Sequence, residues 1–233
     1  MSEVNADFDE IEKFDALASR WWDPNGEFKP LHDINDARLN YIVDRSEPGA
    51  ILEVGCGGGI LSESLAARGH RVTGIDMASK ALGVARLHAA ESGVDVTYEL
   101  TTAEEYAIEY GARFQTVACL EMLEHVSNYP STVQACADLT KPGGDLFFST
   151  INRTAKAYAL LILGAEYAMN ILPRGTHEYS KFIRPSELCH ALTDAGLEVK
   201  DISGLKYNPF NRKASITADV SANYLVHATK PNN

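Results

Sequence analysis

The sequence predicts an α/β fold with a mostly parallel seven-stranded sheet, helices on both faces and an antiparallel pair of strands at one edge. Three observations lead to this prediction. Short apolar runs alternate with amphipathic stretches from residue 50 to residue 150, which is typical of parallel strands joined by right-handed helical crossovers. A glycine-rich loop follows the first apolar run. Two apolar runs near the end of the chain are separated by turn-forming residues.

Each element is assigned from the period of its apolar residues. The predicted strands are residues 50–54, 71–75, 96–100, 116–120, 145–150, 197–202 and 224–229. The predicted helices among the first five strands are residues 60–67, 79–91, 103–110 and 131–139. Asn208, Pro209 and Asn211 lie between the last two strands, and these turn-forming residues suit an antiparallel connection.

Two segments interrupt the alternation within what we expect to be a single domain. Residues 1–45 precede the first strand and are expected to form an N-terminal helical cap. Residues 151–184 are inserted after the fifth strand. Additions of this kind usually border the binding end of an α/β sheet, so we expect both to take part in substrate selection.

Composition excludes several classes of protein. With 45% apolar and 23% charged residues the chain resembles an ordinary soluble globule. Its net charge of −11 argues against nucleic-acid binding, which needs a basic face. The cysteines show no Cys-x-x-Cys spacing, the N-terminus has no apolar core of a secretory signal, and no apolar run approaches the ~20 residues that span a bilayer. A cytoplasmic protein is expected.

The loop at residues 55–59 joins the first strand to a helix and contains four glycines. Glycines let a ligand approach the backbone closely, and the start of the helix offers free N–H groups. Asp76 ends the second strand 21 residues after Gly55, where a carboxylate can accept hydrogen bonds from two ribose hydroxyls. Ile60 stands where dinucleotide-binding loops have a third glycine, which disfavours a nicotinamide oxidoreductase.

The segment Glu-Val-Gly-Cys-Gly-Gly-Gly at residues 53–59 resembles motif I of the class I S-adenosylmethionine-dependent methyltransferases, which have a Rossmann-like fold. Lys-Pro-Gly-Gly at residues 141–144 resembles a later signature of the same family. The resemblance implies S-adenosylmethionine as cofactor. The cofactor-binding residues that it implies are Gly55, Gly57, Gly59, Asp76, Met77, Thr102 and Ala103. Arg38 and Leu120 join this set through a closer resemblance.

A closer resemblance covers nearly the whole chain, from about Ile11 to the last strand. The segments FDALASRWWD at residues 14–23, EMLEHV at 121–126 and GLKYNP at 204–209 are similar to the ubiquinone-biosynthesis O-methyltransferases. This resemblance implies methylation of ring hydroxyls of polyprenylated phenols, namely 2-polyprenyl-6-hydroxyphenol and 3-demethylubiquinol. It also implies a peripheral place on the inner face of the cytoplasmic membrane and a ubiquinone-biosynthesis complex as a partner.

Glu121, Glu124 and His125 follow the fourth strand, at the carboxyl end of the sheet where ligands bind. If a helix begins here, their spacing places all three on one face. Methylation of a phenol is helped by a base or a metal that favours the phenolate. Three roles stay open for these catalytic candidates: ligands of Mg²⁺ or another divalent cation, a general base without metal, and a structural role at a helix start.

The inserted segment is apolar over residues 155–173 and is flanked by cations. Between residues 150 and 190 the chain has five Lys or Arg against three Glu. Such a segment suits a lid that lies on an anionic membrane and admits a prenyl tail, and packing on the sheet or against a second copy is the alternative. Methylation of a soluble phenol and a non-catalytic cofactor-binding scaffold are the rival functions.

Overall fold

The computed structural model describes residues 5–160 and 178–232. Its helices are α1 (Phe8–Leu17), α2 (Lys29–Val43), α3 (Ile60–Ala67), α4 (Ser79–Ser92), α5 (Ala103–Tyr110), α6 (Tyr129–Leu139), α7 (Ala155–Ala157) and α8 (Pro185–Asp194). Its strands are β1 (Ala50–Val54), β2 (Arg71–Asp76), β3 (Val96–Leu100), β4 (Phe114–Leu120), β5 (Thr140–Ile151), β6 (Glu198–Asn208), β7 (Lys213–Thr217) and β8 (Asn223–Thr229).

All these strands form one sheet with the order β3-β2-β1-β4-β5-β8-β6-β7. The pairs among β1 to β5 are parallel, whereas β8 runs antiparallel to both β5 and β6. The predicted fold class, a mostly parallel sheet with an antiparallel edge, is confirmed. Because β1 and β4 lie at the centre, their carboxyl ends and that of β2 form one continuous edge at which a ligand can bind.

The described sheet has eight strands, one more than predicted. β6 continues to Asn208 and pairs with β7 as an antiparallel hairpin. The side chain of Asn208 accepts a hydrogen bond from the Phe210 N–H at 2.9 Å, and that of Asn211 accepts one from the Lys213 N–H at 3.1 Å. β7 has no buried position. An edge strand without an apolar run leaves little periodic signal, which is why the sequence indicates only a turn there.

The core lies on both faces of the sheet. β1 is buried along its whole length, as expected of a parallel strand covered by helices on both sides. Leu52 and Phe148 belong to one apolar cluster, whereas their neighbours Ile51 and Phe147 belong to another. Successive residues of a strand point to opposite faces, so the same strands supply both cores and hold the ligand-binding edge rigidly.

The N-terminal residues fold over that edge. The side chain of Asp7 caps α1 by accepting from the N–H groups of Asp9 and Glu10. Asp15, near the end of α1, accepts a hydrogen bond from the N–H of Lys80 at 2.8 Å in the first turn of α4. A side-chain oxygen at a helix start satisfies a backbone donor that has no partner within the helix. These contacts fix α1 to the domain.

The predicted insert is described only in part. Residues 161–177, which carry most of its apolar run, lie outside the described residues. In the described ranges no helix combines the length and the apolarity that a membrane crossing requires.

Candidate active site

A cavity lies at the carboxyl ends of β1, β2 and β4, and α1 forms part of its wall. The predicted site residues that line it are Arg38, Gly55, Gly57, Asp76, Met77, Thr102, Ala103, Leu120, Glu121 and His125. Gly59 and Glu124 do not line it. The sheet topology thus brings together ten of the twelve predicted residues, from segments that lie far apart in the sequence.

The glycine loop wraps around the end of β2. The N–H groups of Gly55 and Cys56 both donate to the carbonyl oxygen of Ile75, at 2.9 and 3.1 Å. Gly55, Gly57 and Gly59 have φ angles of 75°, 52° and 88°. Glycine adopts this left-handed region without the steric cost that a Cβ imposes. The loop conformation therefore requires glycine at these positions whether or not a ligand is bound.

An aromatic ring of the cap lies against the same loop. A Cβ atom on Gly57 or Gly58 would collide with the indole of Trp21. Trp21 in turn stacks on Phe28 with ring centroids 3.9 Å apart, and the Trp22 indole N–H donates to the Gly58 carbonyl at 2.9 Å. Sequence reasoning assigned the glycines to the approach of a ligand. The structure adds that two of them make room for Trp21.

Asp76 has the surroundings expected of a ribose-binding carboxylate. Its two oxygens accept hydrogen bonds from the N–H groups of Gly57 and Ala78, each at 2.7 Å. Enclosure by the protein raises the pKa of Asp76, although these donors act in the opposite direction. The backbone donors fix the carboxylate at the cavity wall, where its remaining lone pairs can accept from a vicinal diol.

Arg38 is a buried cation that lines the same cavity. Its Nη2 makes only long hydrogen bonds, to the Asn35 side chain at 3.3 Å and the Leu31 carbonyl at 3.4 Å. Its Nε has no partner among the described residues. Burial lowers the pKa of Arg38, and the charges of Glu121 and Glu53 oppose that effect. A guanidinium with unused donors in a cavity suits the carboxylate of an amino-acid moiety.

Apolar side chains also line this cavity. Ala103 and Leu120 are buried, and Thr102 caps α5 by accepting from the Glu105 N–H at 3.1 Å. A carboxylate for the ribose, apolar side chains for the adenine and a guanidinium for the amino-acid carboxylate are the chemistry that an S-adenosyl ligand requires. The described residues therefore fit S-adenosylmethionine.

The acidic residues and the histidine after β4 do not start a helix. Glu121 has a φ of 52°, Leu123–His125 form a single 3₁₀ turn, and α6 begins at Tyr129. The expected arrangement on one helix face is therefore wrong. The Glu121 N–H instead pairs with the carbonyl oxygen of Ser149 on β5 at 3.1 Å, so sheet contacts hold this residue in the left-handed conformation.

The three side chains also have separate partners. Ser149 donates to Oε1 of Glu121, and Thr150 donates to Oε2 of Glu124, each at 2.7 Å. Glu124 is buried, and burial raises its pKa. In residues 5–160 and 178–232 no three His, Cys, Asp or Glu side chains are placed to hold a metal ion. The described donors do not fit Mg²⁺ as they stand, and its binding by Glu121, Glu124 and His125 stays a prediction.

His125 is paired with a residue that sequence reasoning missed. Its Nδ1 lies 2.9 Å from Oε2 of Glu10 in α1. The hydrogen bond with His125 lowers the pKa of Glu10 to about 2. Burial lowers the pKa of His125, but Glu10 and the charge of Glu124 outweigh burial, so the net direction is upward. Nothing in the sequence pairs residues 115 positions apart, and only the folded position of α1 reveals this contact.

Comparisons with known proteins agree with this site. The model of a methyltransferase domain family matches residues 6–202. The ubiquinone biosynthesis O-methyltransferase of Azoarcus sp. (strain BH72) is 55% identical over 229 residues, which cover 97% of this chain and 98% of the relative. The protein of the same name from Saccharophagus degradans is 55% identical over 231 residues, 98% of each chain.

A solved structure shares the fold. It is that of magnesium protoporphyrin IX methyltransferase from Synechocystis PCC 6803 with bound SAH, with a TM-score of 0.67 at 19% identity over 96% of this chain and 94% of the other. The fold and the family model define a class I methyltransferase that depends on S-adenosylmethionine. Within that class, the chain belongs to the family of ubiquinone biosynthesis O-methyltransferases.

Proposed function

We propose that this protein transfers a methyl group from S-adenosylmethionine to ring hydroxyls of polyprenylated phenols, 2-polyprenyl-6-hydroxyphenol and 3-demethylubiquinol. The observation that carries the proposal is a single cavity in which Asp76 and Arg38 stand together with Glu121 and His125. The first pair suits the cofactor and the second suits an acidic hydroxyl. A chain 55% identical to a ubiquinone biosynthesis O-methyltransferase over 97% of its length supports the same reaction.

The protein's own residues divide the work of binding and proton transfer. S-adenosylmethionine supplies, when bound, an electrophilic methyl group on a sulfonium sulfur. Nδ1 of His125 faces the carboxylate of Glu10, which accepts a hydrogen bond from it. The imidazole of His125 accepts the phenolic proton as the oxygen–methyl bond forms and the sulfur–methyl bond breaks. The charge of Glu124 raises the basicity of His125, and Glu121 accepts a hydrogen bond from a neighbouring ring hydroxyl.

The test is methyl transfer from S-adenosylmethionine to a short-chain prenyl catechol, measured by mass spectrometry with and without EDTA. Turnover in both conditions supports the general base, whereas loss in EDTA and recovery with Mg²⁺ supports the metal role of Glu121, Glu124 and His125. An unprenylated catechol tests the rival function on soluble phenols. No turnover under any metal condition overturns the proposed function and favours a non-catalytic scaffold.

We further propose that the protein works at an anionic membrane surface, where a polyprenylated substrate resides. Tyr158, Leu160 and Tyr179, at the two ends of the insert, are exposed large side chains. Two of the cations near them are already paired, Lys156 with Asp219 at 2.5 Å and Lys181 with Asp7 at 2.9 Å. Apolar contact is therefore expected to contribute more to lipid binding at this surface than the charge of these lysines.

Co-sedimentation with anionic and with neutral vesicles tests this location. Deletion of residues 155–184 and the double variant Tyr158→Ser/Leu160→Ser are expected to weaken binding to anionic vesicles. Ile108→Ser is the control, because Ile108 is 89% exposed on α5 and has no part in the insert. Equal binding by the wild type and a folded deletion variant would exclude the insert as the lipid contact.

A further inference from the structure

We infer that Glu10 is a positioning residue of the methyl-transfer reaction, which acts by holding the imidazole of His125, so that α1 completes the catalytic site. The inference rests on the proposed function and extends it to a residue outside the predicted site. The N-terminal helix α1 then takes part in the chemistry in addition to forming part of the cavity wall.

The burial of Glu10 is the first observation. α1 lies at the protein surface, and its neighbours Asp9 and Glu12 are exposed, yet Glu10 is only 8% exposed and lines the cavity. A carboxylate loses hydration when it is buried and needs partners in return. Oε2 contacts Nδ1 of His125 at 2.9 Å, and Oε1 accepts from Lys13 at 2.8 Å. Both carboxylate oxygens of Glu10 are thus engaged by protein donors.

A second residue of α1 contacts the same imidazole. The ring of Phe14 meets that of His125 edge to face, with centroids 5.1 Å apart and planes at 87°. Glu10 and Phe14 are one helical turn apart, so they lie on one face of α1. Glu10 forms the hydrogen bond at Nδ1 of His125, and Phe14 limits rotation of the imidazole ring. Together these two contacts favour the Nδ1–H tautomer of His125 and restrict the orientation of its ring.

α1 is itself held at both ends, which makes the position of Glu10 reproducible. Before the helix, the Asn5 amide donates to Glu104 at 2.7 Å and to the Thr132 hydroxyl at 3.0 Å. At its far end Asp15 caps α4. A catalytic group gains from a partner only if that partner is held within a few tenths of an ångström, and these contacts supply that support.

Lys181 connects the same dyad to the end of the insert. Its Nζ lies 2.9 Å from Asp7 and 3.5 Å from Glu10. The carboxylate of Glu10 therefore joins the N-terminal cap both to Lys181 of the insert and to His125. Glu10 and Phe14 both belong to α1, so the placement of His125 depends on the position of that helix.

The experiment compares Glu10→Ala, Glu10→Gln and the control Glu12→Ala, which changes an exposed carboxylate on the same helix. We expect Glu10→Ala to lower kcat at least tenfold, since misplacement of a catalytic group by about 1 Å can cost on the order of 100-fold. Glu10→Gln keeps an acceptor for Nδ1–H and should restore part of the loss. The Kd for S-adenosylhomocysteine should stay within twofold in all variants, and Glu12→Ala should behave as wild type.

Two further readouts separate positioning from a structural role. In a His125→Asn background, Glu10→Ala should cause no additional loss of kcat, because the two substitutions remove the same function, proton acceptance by His125. Long-range ¹H–¹⁵N correlation spectra should show a change of His125 tautomer in Glu10→Ala, and this signal does not require turnover. An unchanged kcat in Glu10→Ala, additive losses, or a fall in cofactor affinity that matches the fall in kcat overturns the inference.

Failure of the inference and failure of the proposed function give different results. An active wild type with an equally active Glu10→Ala variant contradicts the positioning role alone. A wild type without any turnover contradicts the proposed function, and the spectrum of His125 then decides the inference. An identical tautomer in wild type and Glu10→Ala overturns it, whereas a changed tautomer supports the contact on which it depends.

Discussion

The carboxylate of Asp76 accepts a 2.7 Å hydrogen bond from the backbone N–H of Gly57. The acid that ends β2 and the loop that follows β1 therefore form one unit before any ligand binds. The loop also donates two N–H groups to Ile75, the residue before Asp76. A ligand that contacts both the glycine loop and the end of β2 binds to segments that are already aligned. This alignment lowers the entropy lost on binding.

Asp76→Asn should lower affinity for S-adenosylhomocysteine by at least tenfold. In Asp76 each carboxylate oxygen accepts one hydrogen bond, one from the Gly57 N–H and the other from the Ala78 N–H. The asparagine amide has only one acceptor oxygen, so it cannot keep both hydrogen bonds in this arrangement. Isothermal titration calorimetry measures the change, with Glu91→Gln as an exposed control on α4. Equal affinity in Asp76→Asn and wild type would contradict the ribose-binding role.

Arg38→Met should separate two ligands that differ in the amino-acid moiety. Binding of S-adenosylhomocysteine should weaken at least tenfold, because its carboxylate loses a charge-assisted partner. Binding of 5′-methylthioadenosine, which has no carboxylate, should change less than threefold. Titration of both ligands tests this, and a parallel loss for the two would show that Arg38 supports the fold of the cavity rather than the carboxylate.

Gly58→Ala should destabilise the protein by about 1–3 kcal/mol, the usual cost of overpacking, because the added Cβ meets the indole of Trp21. Gly83→Ala is the matched control. Gly83 lies within α4, where an added Cβ meets nothing within 4 Å, and alanine there should raise stability by up to about 1 kcal/mol. Urea unfolding measures both. Unaltered stability of Gly58→Ala would show that Trp21 does not restrict the loop.

Glu53 should make stability depend on pH. Burial raises the pKa of Glu53 to about 7, above the ~4.3 of an unfolded chain. Because the folded-state pKa of Glu53 is raised, the stabilisation that its protonated form gives the folded state is fully present below about pH 4.3. This stabilisation is lost as the pH rises through about 7. The stability of Glu53→Gln should therefore fall less between pH 5 and pH 8, by on the order of 2 kcal/mol. Urea unfolding at both pH values measures this, and parallel pH profiles would contradict the shift.

The sequence predicted the parallel part of the fold closely. β1 and β3 begin and end at the residues predicted for them. β1 is buried along its whole length, as expected of a central parallel strand covered on both faces. The same reasoning missed β7, which has no buried residue. The helix start considered at residues 121–125 does not form, because contacts of Glu121 with Ser149 on β5 impose a different backbone. Local periodicity cannot report a hydrogen bond to a strand 28 residues away.

By itself the sequence determined the alternation of strands and helices from β1 to β5, the glycine loop and the acid that ends β2, because these depend on local pattern and on short spacings. Only the tertiary structure decided which distant side chains meet. It placed Trp21 on the glycine loop, left Arg38 buried with unused donors, separated Glu124 from the cavity wall and brought Glu10 to His125. Each of these arrangements depends on how segments that are distant in the sequence pack together, and packing is set by the whole fold rather than by neighbouring residues.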